Sequence, residues 1–422
     1  MAEMEVEEED KPVDLESNVD DSVIDEATQQ QYRIWKKNSP YLYDYLSTNS
    51  LLWPSLTVQF FPDIVTIQSE EVISLQRLLY GTFTLGQSID SLSIVQIPTF
   101  ENLNKHLKIN KLDYNQEKQE FEVSTSSNNK LKLLQKINHK GDVNKARYMP
   151  QKPNVMASAN NQGDLVIYER TKHSSLLRIN DMEYSKVQIY LKSSENLTNC
   201  DIFAIDWNLQ NEGIIASADT QGNINIYDIK NLNMKNNFLN QINYTKNSSG
   251  INDLQWFSNH DSIFVSVDEE GFLKIHDIRA NKIVEQFKAG ESEVNSLDIN
   301  PGLSTCVATG DSNGFIDIWD IRNKNNCVHR IENQHTDSIT QLKWNRKHHN
   351  ILASSSTDTL VRLFDISNRN DQEGLIFIHR GHMLGVNDID WSYHDDWLIS
   401  SVGDDNSLQL WKPSHHIISN YN

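Results

Sequence analysis

Hydrophobic positions along this chain repeat with a constant internal spacing. In six places an apolar or aromatic residue is followed, 20 residues later, by a second one near the end of a candidate strand. We call the first member of each pair the anchor. The pairs are Tyr148/Tyr168, Trp207/Tyr227, Trp256/His276, Ile299/Trp319, Trp344/Phe364 and Trp391/Trp411. Successive anchors lie 43 to 59 residues apart, so the pattern predicts six copies of one structural unit joined by connectors of variable length.

Each unit contains the pattern of short strands joined by tight turns. The segments 294–299 and 315–319 alternate apolar and polar residues, which is typical of half-buried strands. Fifteen residues after the anchor, four units have a glycine, which favours the positive φ of a hairpin turn. These turn residues are Gly163, Gly222, Gly271 and Gly314, with Thr359 and Asn406 in the last two units. Asp219, Asp268 and Asp311 precede three of the turns, and we expect them to bond the turn backbone.

Short strands in units of about 45 residues predict an all-β fold, a seven-bladed WD-repeat β-propeller. The ending Trp319-Asp320 matches the Trp-Asp signature of WD repeats. We assign residues 51–137 to a divergent first blade and 138–413 to the six repeats. Strand-like segments precede the repeats at 56–61, 77–82, 91–97 and 131–136. We expect the segment 56–61 to complete the last blade, which would close the ring and leave no open edge.

The regions outside the repeats have different patterns. Residues 22–50 predict an N-terminal helix packed on the side of the propeller, with Ile24, Ala27 and Ile34 on one face and Trp35 beside it. Pro40 is expected to interrupt this helix. We expect the polar stretches 99–130 and 230–249 to be mobile excursions, and 414–422 to be a C-terminal tail.

Charge is concentrated at the N-terminus. Of the formal net charge of −20, residues 1–26 carry −11, from twelve acids and one lysine. A like-charged block of this kind predicts an acidic disordered tail over 1–21. It either keeps the protein soluble or steers a basic partner towards it. The net-acidic remainder argues against direct nucleic-acid binding, which needs a basic surface.

The remaining composition narrows the classes of function. Three cysteines lie far apart, so we expect neither a disulfide framework nor a zinc site. No apolar run approaches the length of a membrane span. Residues 310–314 match GxSxG, but they occupy the hairpin turn of a repeat and not a strand-to-helix elbow. We therefore assign no catalytic residue, no metal ligand and no cofactor.

A binding surface is expected where the inner strands of the blades begin, at the mouth of the central channel. Asparagines recur four residues before the anchors, and acidic residues lie near them. Carboxylates accept charge-assisted hydrogen bonds and amides bond backbone, which favours a peptide bearing lysine and arginine. The alternative is that asparagine begins strands because it tolerates turn geometry. The predicted peptide-binding residues are Asp142, Asn144, Asp201, Asn252, Glu269, Asn295, Asn387 and Asp404.

Several strings resemble a known family. The segments 32–45, 53–57 and 143–151 and the tripeptide 277–279 are similar to the histone-binding WD-repeat proteins related to the retinoblastoma-binding protein. Members serve as small subunits of chromatin assembly factor 1 and of type B histone acetyltransferase. The segments 60–63, 169–173 and 381–388 are most similar to the branch that serves chromatin assembly factor 1 in budding yeast. The likeness extends from about residue 28 to 413.

The resemblance implies two histone surfaces. The family binds the first helix of histone H4 in a groove between the N-terminal helix and an acidic loop of the sixth blade. By resemblance this groove contains Ile34, Tyr41, Leu42, Asp371, Glu373 and Leu375. The family's loop is usually longer and more acidic than the segment 368–375, which also holds Arg369. The channel mouth would take the histone H3 tail, although Asn252 stands where the family commonly has an acid.

The implied function is a nonenzymatic histone H3–H4 binding subunit of chromatin assembly factor 1, acting in replication-coupled nucleosome assembly. Its partners would be histones H4 and H3 and the larger subunits of that complex, with neither nucleic acid nor membrane bound directly. The implied location is the nucleus, with a cytoplasmic pool. One alternative is the histone-binding subunit of type B histone acetyltransferase. An alternative of another class is a WD-repeat substrate receptor of a ubiquitin ligase.

Overall fold

Seven four-stranded antiparallel sheets make up almost all of the described part of this protein. The computed structural model describes residues 24, 26–68, 72–100, 114–115, 120–121, 131–175, 183–192, 200–230, 238–243, 249–323, 327–368 and 374–421. The inner strand of each sheet contacts the inner strands of its two neighbours, and the first inner strand contacts the last. The sheets therefore form a closed ring, which confirms the predicted seven-bladed propeller.

The chain begins with helix α1 (Glu26–Leu42). The first blade and the strands before it are β1 (Tyr43–Ser50), β2 (Val58–Gln68), β3 (Val72–Gly81), β4 (Asp90–Phe100), β5 (Tyr114–Asn115), β6 (Glu120–Phe121) and β7 (Lys132–His139). The second and third blades are β8 (Val143–Met149), β9 (Lys152–Asn160), β10 (Asp164–Glu169), β11 (Ile189–Lys192), β12 (Ile202–Trp207), β13 (Ile214–Asp219), β14 (Asn223–Asp228) and β15 (Phe238–Asn243).

The fourth and fifth blades are β16 (Ile251–Trp256), β17 (Ile263–Asp268), β18 (Phe272–Asp277), β19 (Lys282–Lys288), β20 (Val294–Ile299), β21 (Cys306–Asp311), β22 (Ile316–Asp320) and β23 (His329–Ile331). The sixth and seventh are β24 (Ile339–Trp344), β25 (Ile351–Ser356), β26 (Val361–Asp365), β27 (Leu375–His379), β28 (Val386–Trp391), β29 (Ile399–Gly403) and β30 (Ser407–Pro413). A short helix α2 (His415–Ile418) follows.

The anchors explain why the repeat spacing is constant. Each anchor ends an inner strand and is buried in an apolar cluster between blades. Four anchor tryptophans also donate from Nε1 to a backbone carbonyl of the preceding blade, at 3.0 to 3.2 Å. They are Trp207, Trp256, Trp344 and Trp391. Tryptophan recurs here because it fills the interface and also bonds across it.

The turn fifteen residues after the anchor has the predicted conformation in all six repeats. The four glycines there have φ between +77° and +83°, and Thr359 and Asn406 adopt positive φ of 74° and 54°. Asp311 accepts from the backbone N–H of Asn313 and Phe315, and Asp219 and Asp268 bond their turns in the same way. Ser312 of the GxSxG string lies inside such a turn, between β21 and β22. The turn prediction is confirmed.

The prediction for the strand that closes the ring is wrong. Segment 56–61 lies in the first blade, whose strand order is β2-β3-β4-β7. The last blade is completed by β1, which pairs with β30 from Tyr43↔Pro413 to Ser50↔Ser407. Tyr43 and Tyr45 alternate with half-buried Asp44 at the start of β1 and are 3% and 2% exposed. This segment therefore has a strand's burial pattern, although its sequence continues the polar and aromatic character of the helix.

Other boundaries also differ from expectation. Helix α1 ends at Leu42 and runs through Pro40, because the Ser39 hydroxyl donates to the Lys36 carbonyl in place of the N–H that proline lacks. The polar stretch 230–249 supplies β15, the outermost strand of the third blade, and is not wholly an excursion. In the C-terminal segment, Ile418 is 2% exposed and packs against the cluster between the sixth and seventh blades. Residues 1–21 lie outside the described residues.

Candidate functional site

Helix α1 is held rigidly on the side of the propeller by one aromatic residue. Trp35 is 3% exposed and packs into the cluster between the sixth and seventh blades. Its Nε1 donates to the Tyr43 hydroxyl at 2.8 Å, which leaves that hydroxyl to donate to His379 Nδ1, also at 2.8 Å. Burial raises the pKa of Tyr43 and lowers that of His379, so both groups stay neutral. Arg380 adds a hydrogen bond to Gln31, at 2.9 Å.

The helix presents apolar residues to solvent on another face. Ile34 is 54% exposed and Tyr41 is 70% exposed, whereas Leu42 is half-buried against the cluster that holds Trp35. Large exposed apolar side chains on a rigid helix favour a partner surface. The sequence analysis placed Ile34 on the inward face and Trp35 beside it. The structure reverses these two positions.

Strand β27 follows the predicted acidic loop and lies next to this helix. Asp371 and Glu373 fall outside the described residues, so their side chains are not placed. Leu375 packs against the cluster between the fifth and sixth blades, away from the helix. Ile376 packs against the cluster that holds α1. Because successive strand residues face opposite sides, Ile376 takes the position that was predicted for Leu375.

The start of the inner strands forms the upper mouth of the channel, and its asparagines connect the blades. Asn252 donates from Nδ2 to Val294 O at 3.0 Å, and Asn295 donates to Ile339 O at 3.2 Å. Thr340 and Asn387 make the equivalent bonds to Val386 O and Ser55 O, at 2.5 and 3.1 Å. We call these four residues the inter-blade clamps. Their donors are occupied by the next blade, so their recurrence has a structural cause that differs from turn geometry.

The clamps are missing over three successive blades. At the equivalent positions Leu56 and Phe203 have no polar side chain, and Asn144 Nδ2 is buried without a hydrogen-bond partner among the described residues. These three residues line one side of a cavity of about 240 Å³ at the upper mouth. Lys145 reaches the same cavity. The upper mouth therefore has a clamped polar wall and, opposite it, an apolar wall with an unused amide donor.

The predicted acids of the upper mouth fall into two groups. Glu269 and Asp404 are exposed, and each also accepts a local bond, from Gly250 N and from Asn387. Asp201 is half-buried, and burial together with the nearby charge of Asp142 raises its pKa. Asp142 is 4% exposed and accepts three hydrogen bonds from Thr84 N, Leu85 N and Asn161 Nδ2. Three acids can meet a basic ligand, whereas Asp142 holds two loops together.

Two Ser-His-Asp sets resemble catalytic triads but have no access for a substrate. Ser401 bonds His382 Nε2 at 2.8 Å, and His382 Nδ1 bonds Asp405 at 3.2 Å. Ser354, His335 and Asp358 repeat this arrangement at 2.7 and 2.9 Å. Both serines are 0% exposed, so a substrate cannot reach the hydroxyl. The sets connect the turn and strands inside each blade.

Two classes of feature are missing from the part of the chain that the structure describes. No helix there is long and apolar enough to cross a membrane. No three histidine, cysteine, aspartate or glutamate side chains there are grouped to hold a metal ion.

Sequence reasoning missed three residues of the upper mouth, Leu56, Phe203 and Lys145. A signal was available for Phe203, which breaks the run of polar residues four positions before the anchors. Leu56 could not be found in this way, because the first blade has no anchor of the repeat and its register was not visible.

Comparisons with known proteins agree with this geometry. A family model for the histone-binding protein RBBP4 and its counterpart in the CAF1 complex matches residues 30–101, which include α1, β1 and most of the first blade. A second, for the N-terminal domain of nucleolar protein 10-like proteins, matches the repeat region 223–410. The Saccharomyces cerevisiae "Histone-binding protein MSI1" is 36% identical over 417 residues, covering 92% of this chain and 95% of that protein. The chain belongs to the family of histone-binding WD-repeat proteins that includes MSI1.

Proposed function

We propose that this protein is a histone H3–H4 binding subunit of chromatin assembly factor 1 that acts in nucleosome assembly in the nucleus. The observation that supports this most strongly is its 36% identity, over nearly the whole chain, to a relative named as a histone-binding protein. The family model at the N-terminus names the same complex and covers the helix with the exposed apolar face. The protein would act as a binding scaffold and not as an enzyme.

The side of the propeller supplies the first proposed contact. An amphipathic helix of histone H4 would place its apolar residues on Ile34 and Tyr41, and its basic residues near Asp371 and Glu373. Because Trp35 fixes α1 before binding, little ordering entropy is lost when the partner docks. The short loop that holds Arg369 reduces the electrostatic part of this contact, so apolar burial carries most of the proposed affinity.

The upper mouth supplies the second proposed contact, for a basic histone tail. Glu269, Asp404 and Asp201 would pair with lysine or arginine side chains through charge-assisted bonds. Asn144 Nδ2 would donate to a backbone carbonyl of the tail, next to the exposed ring of Phe203. Asp142 would act indirectly, by holding the loop that contains Leu85.

The proposed function is tested by a pull-down with intact H3–H4 and with a peptide of the first H4 helix alone. We expect both to be retained by the full chain at moderate salt. Failure to retain either one would overturn the proposal.

The choice of complex is tested by affinity purification of the tagged protein from cells. We expect the larger subunits of chromatin assembly factor 1 to copurify. Recovery of a catalytic acetyltransferase in their place would favour the type B acetyltransferase alternative. Recovery of ubiquitin-ligase adaptors without histones would favour the substrate-receptor alternative.

A further inference from the structure

The lower end of the channel contains an unmatched buried charge. The inner strands carry five carboxylates one or three residues before their anchors, at Asp206, Asp253, Asp298, Asp388 and Asp390. Each of them accepts a backbone N–H of the next blade, at 2.7 to 3.2 Å. These carboxylates therefore join the blades, and each requires a charge partner or a proton because it is far from bulk water.

Four of the five carboxylates have a cation within 4 Å. Arg147 lies 2.9 Å from Asp388, and Arg346 lies 2.7 Å from Asp390. The other two pairs are Lys145–Asp253 and Lys343–Asp298, each at 3.7 Å. Asp206 has no such partner among the described residues. Four cations against five carboxylates leave this set with a charge of −1 when Asp206 is ionised.

Asp206 borders a cavity that could hold the missing cation. A cavity of about 250 Å³ lies at the lower end of the channel and is lined by Asp206 together with Trp256, Trp344, Trp391 and Tyr393. Since one liquid water occupies about 30 Å³, the space admits a guanidinium or alkylammonium group. Aromatic walls favour such cations through their ring faces.

One side of the same cavity already shows how it holds a guanidinium. Arg346 contacts Asp390 at 2.7 Å, and its Cζ lies 3.9 Å from the centre of the Tyr393 ring. Asp206 and Trp256 provide the same two components, a carboxylate and an aromatic ring, without a cation. The lower cavity therefore has one occupied and one unoccupied half of a similar arrangement.

We propose that the lower end of the channel is a second ligand site, which takes a guanidinium or primary ammonium group paired with Asp206. This site is separate from the upper mouth and does not depend on the proposed histone function. The cation can come from a lysine or arginine side chain of a protein partner or from a free small amine. In either case it neutralises the last carboxylate of the channel.

The electrostatics of Asp206 are consistent with an unfilled site. Burial raises its pKa to about 7, and the charge of Asp253 adds to this. The bond from Trp256 N and the charges of Lys343 and Arg147 act in the opposite direction. A cation binds the ionised form, so binding should strengthen as the pH rises through 7 and should release the proton that Asp206 holds below it.

The site is tested with methylguanidinium on the full chain labelled with 19F-tryptophan, because three tryptophans line the cavity. We expect a saturable shift of the Trp256 signal, and binding about tenfold tighter at pH 8 than at pH 6, as expected for a carboxyl of pKa about 7. Asp206→Asn should remove the shift, whereas Asp404→Asn at the upper mouth should leave it unchanged. The neutral isostere methylurea should produce no shift.

Two results would overturn the proposal. One is no saturable shift in the wild-type protein, and the other is an equal shift in Asp206→Asn, checked as folded by circular dichroism. The source of the cation is distinguished by the capped tripeptide Gly-Arg-Gly. Binding tighter than that of methylguanidinium supports a protein side chain, whereas binding of methylguanidinium alone supports a free small amine.

Discussion

At the scale of single residues, the inter-blade clamps separate stability from binding. Asn295 donates to Ser338 and to Ile339 O, whereas Asn144 Nδ2 has no partner among the described residues. We predict that Asn295→Ala lowers the free energy of unfolding by about 1 to 2 kcal/mol, because it leaves buried acceptors unpaired. Asn144→Ala should change it by less than about 0.5 kcal/mol. Urea denaturation of the two variants checks this. Equal losses would show that the clamps do not stabilise the ring.

The buried Ser-His-Asp sets predict how acid unfolds the protein. Burial alone would raise the pKa of Asp358 and Asp405, but the hydrogen bonds and charges of His335 and His382 outweigh it and hold the pKa of both at about 2. A pKa below that of the unfolded chain means that stability is present above pH 4 and is lost as the pH falls towards 2.

Each of these two carboxylates should contribute about 2 kcal/mol near neutral pH. We predict that Asp358→Asn with Asp405→Asn lowers stability at pH 7 and flattens its dependence on pH between 4 and 2. Circular dichroism of denaturant unfolding at a series of pH values measures both. An unchanged slope would contradict the assignment of the acid transition to these groups.

At the scale of elements, helix α1 has one face for anchoring and another for a partner. Trp35→Ala should cost about 3 to 5 kcal/mol, because a buried tryptophan is lost. The double change Ile34→Ala with Tyr41→Ala removes exposed side chains, so it should alter stability by less than about 0.5 kcal/mol. The same change should weaken binding of the H4 helix peptide at least tenfold. Loss of stability without loss of binding would reverse the assigned roles of the two faces.

The repeat and its turns could be predicted from the sequence because each depends on local spacing. A fixed strand length sets the interval of 20 residues, and a hairpin that needs positive φ selects glycine fifteen residues after the anchor. The clamps at Asn252, Asn295 and Asn387 were found as a recurring position. Their bonds across blades were not, because register between blades is a nonlocal property.

Elements without an internal period were predicted less well. Residues 43–50 follow a helix and contain polar residues, and only pairing with β30 makes them a strand. Ile34 and Trp35 are neighbours in sequence, so helical periodicity alone did not identify which of them is buried. The exchange of Leu375 for Ile376 has the same cause, because a shift of one residue in a strand moves the side chain to the other face.

At the scale of the whole molecule, the ring is closed by a strand from near the N-terminus. β1 covers the edge of β30, which would otherwise present unpaired backbone groups to other molecules. We predict that deletion of residues 1–50 broadens thermal unfolding and causes aggregation on size-exclusion chromatography. Deletion of residues 1–23, the matched control, should leave both unchanged. A monomeric, cooperatively unfolding product of the longer deletion would show that closure by β1 is dispensable.

The propeller keeps its proposed histone surfaces apart. Helix α1 lies on the outside, against the sixth and seventh blades, whereas Glu269 and Asp404 lie at the upper mouth of the channel. Such separation allows one protein to hold two segments of a histone pair at once, which increases the overall affinity through effective concentration. Because the ring is rigid and closed, changes at one surface should not alter the other.

The proposal of two separate histone surfaces on one propeller is decided by binding both histone peptides to both surface variants. Fluorescence anisotropy would measure the H4 helix peptide and the H3 tail peptide against Asp371→Lys/Glu373→Lys and Glu269→Lys/Asp404→Lys. We predict that the first variant weakens only the H4 helix and the second only the tail, each by about tenfold or more, since each exposed pair contributes up to about 1 kcal/mol. If either variant weakens both peptides equally, or neither of them, the two surfaces are not separate histone sites.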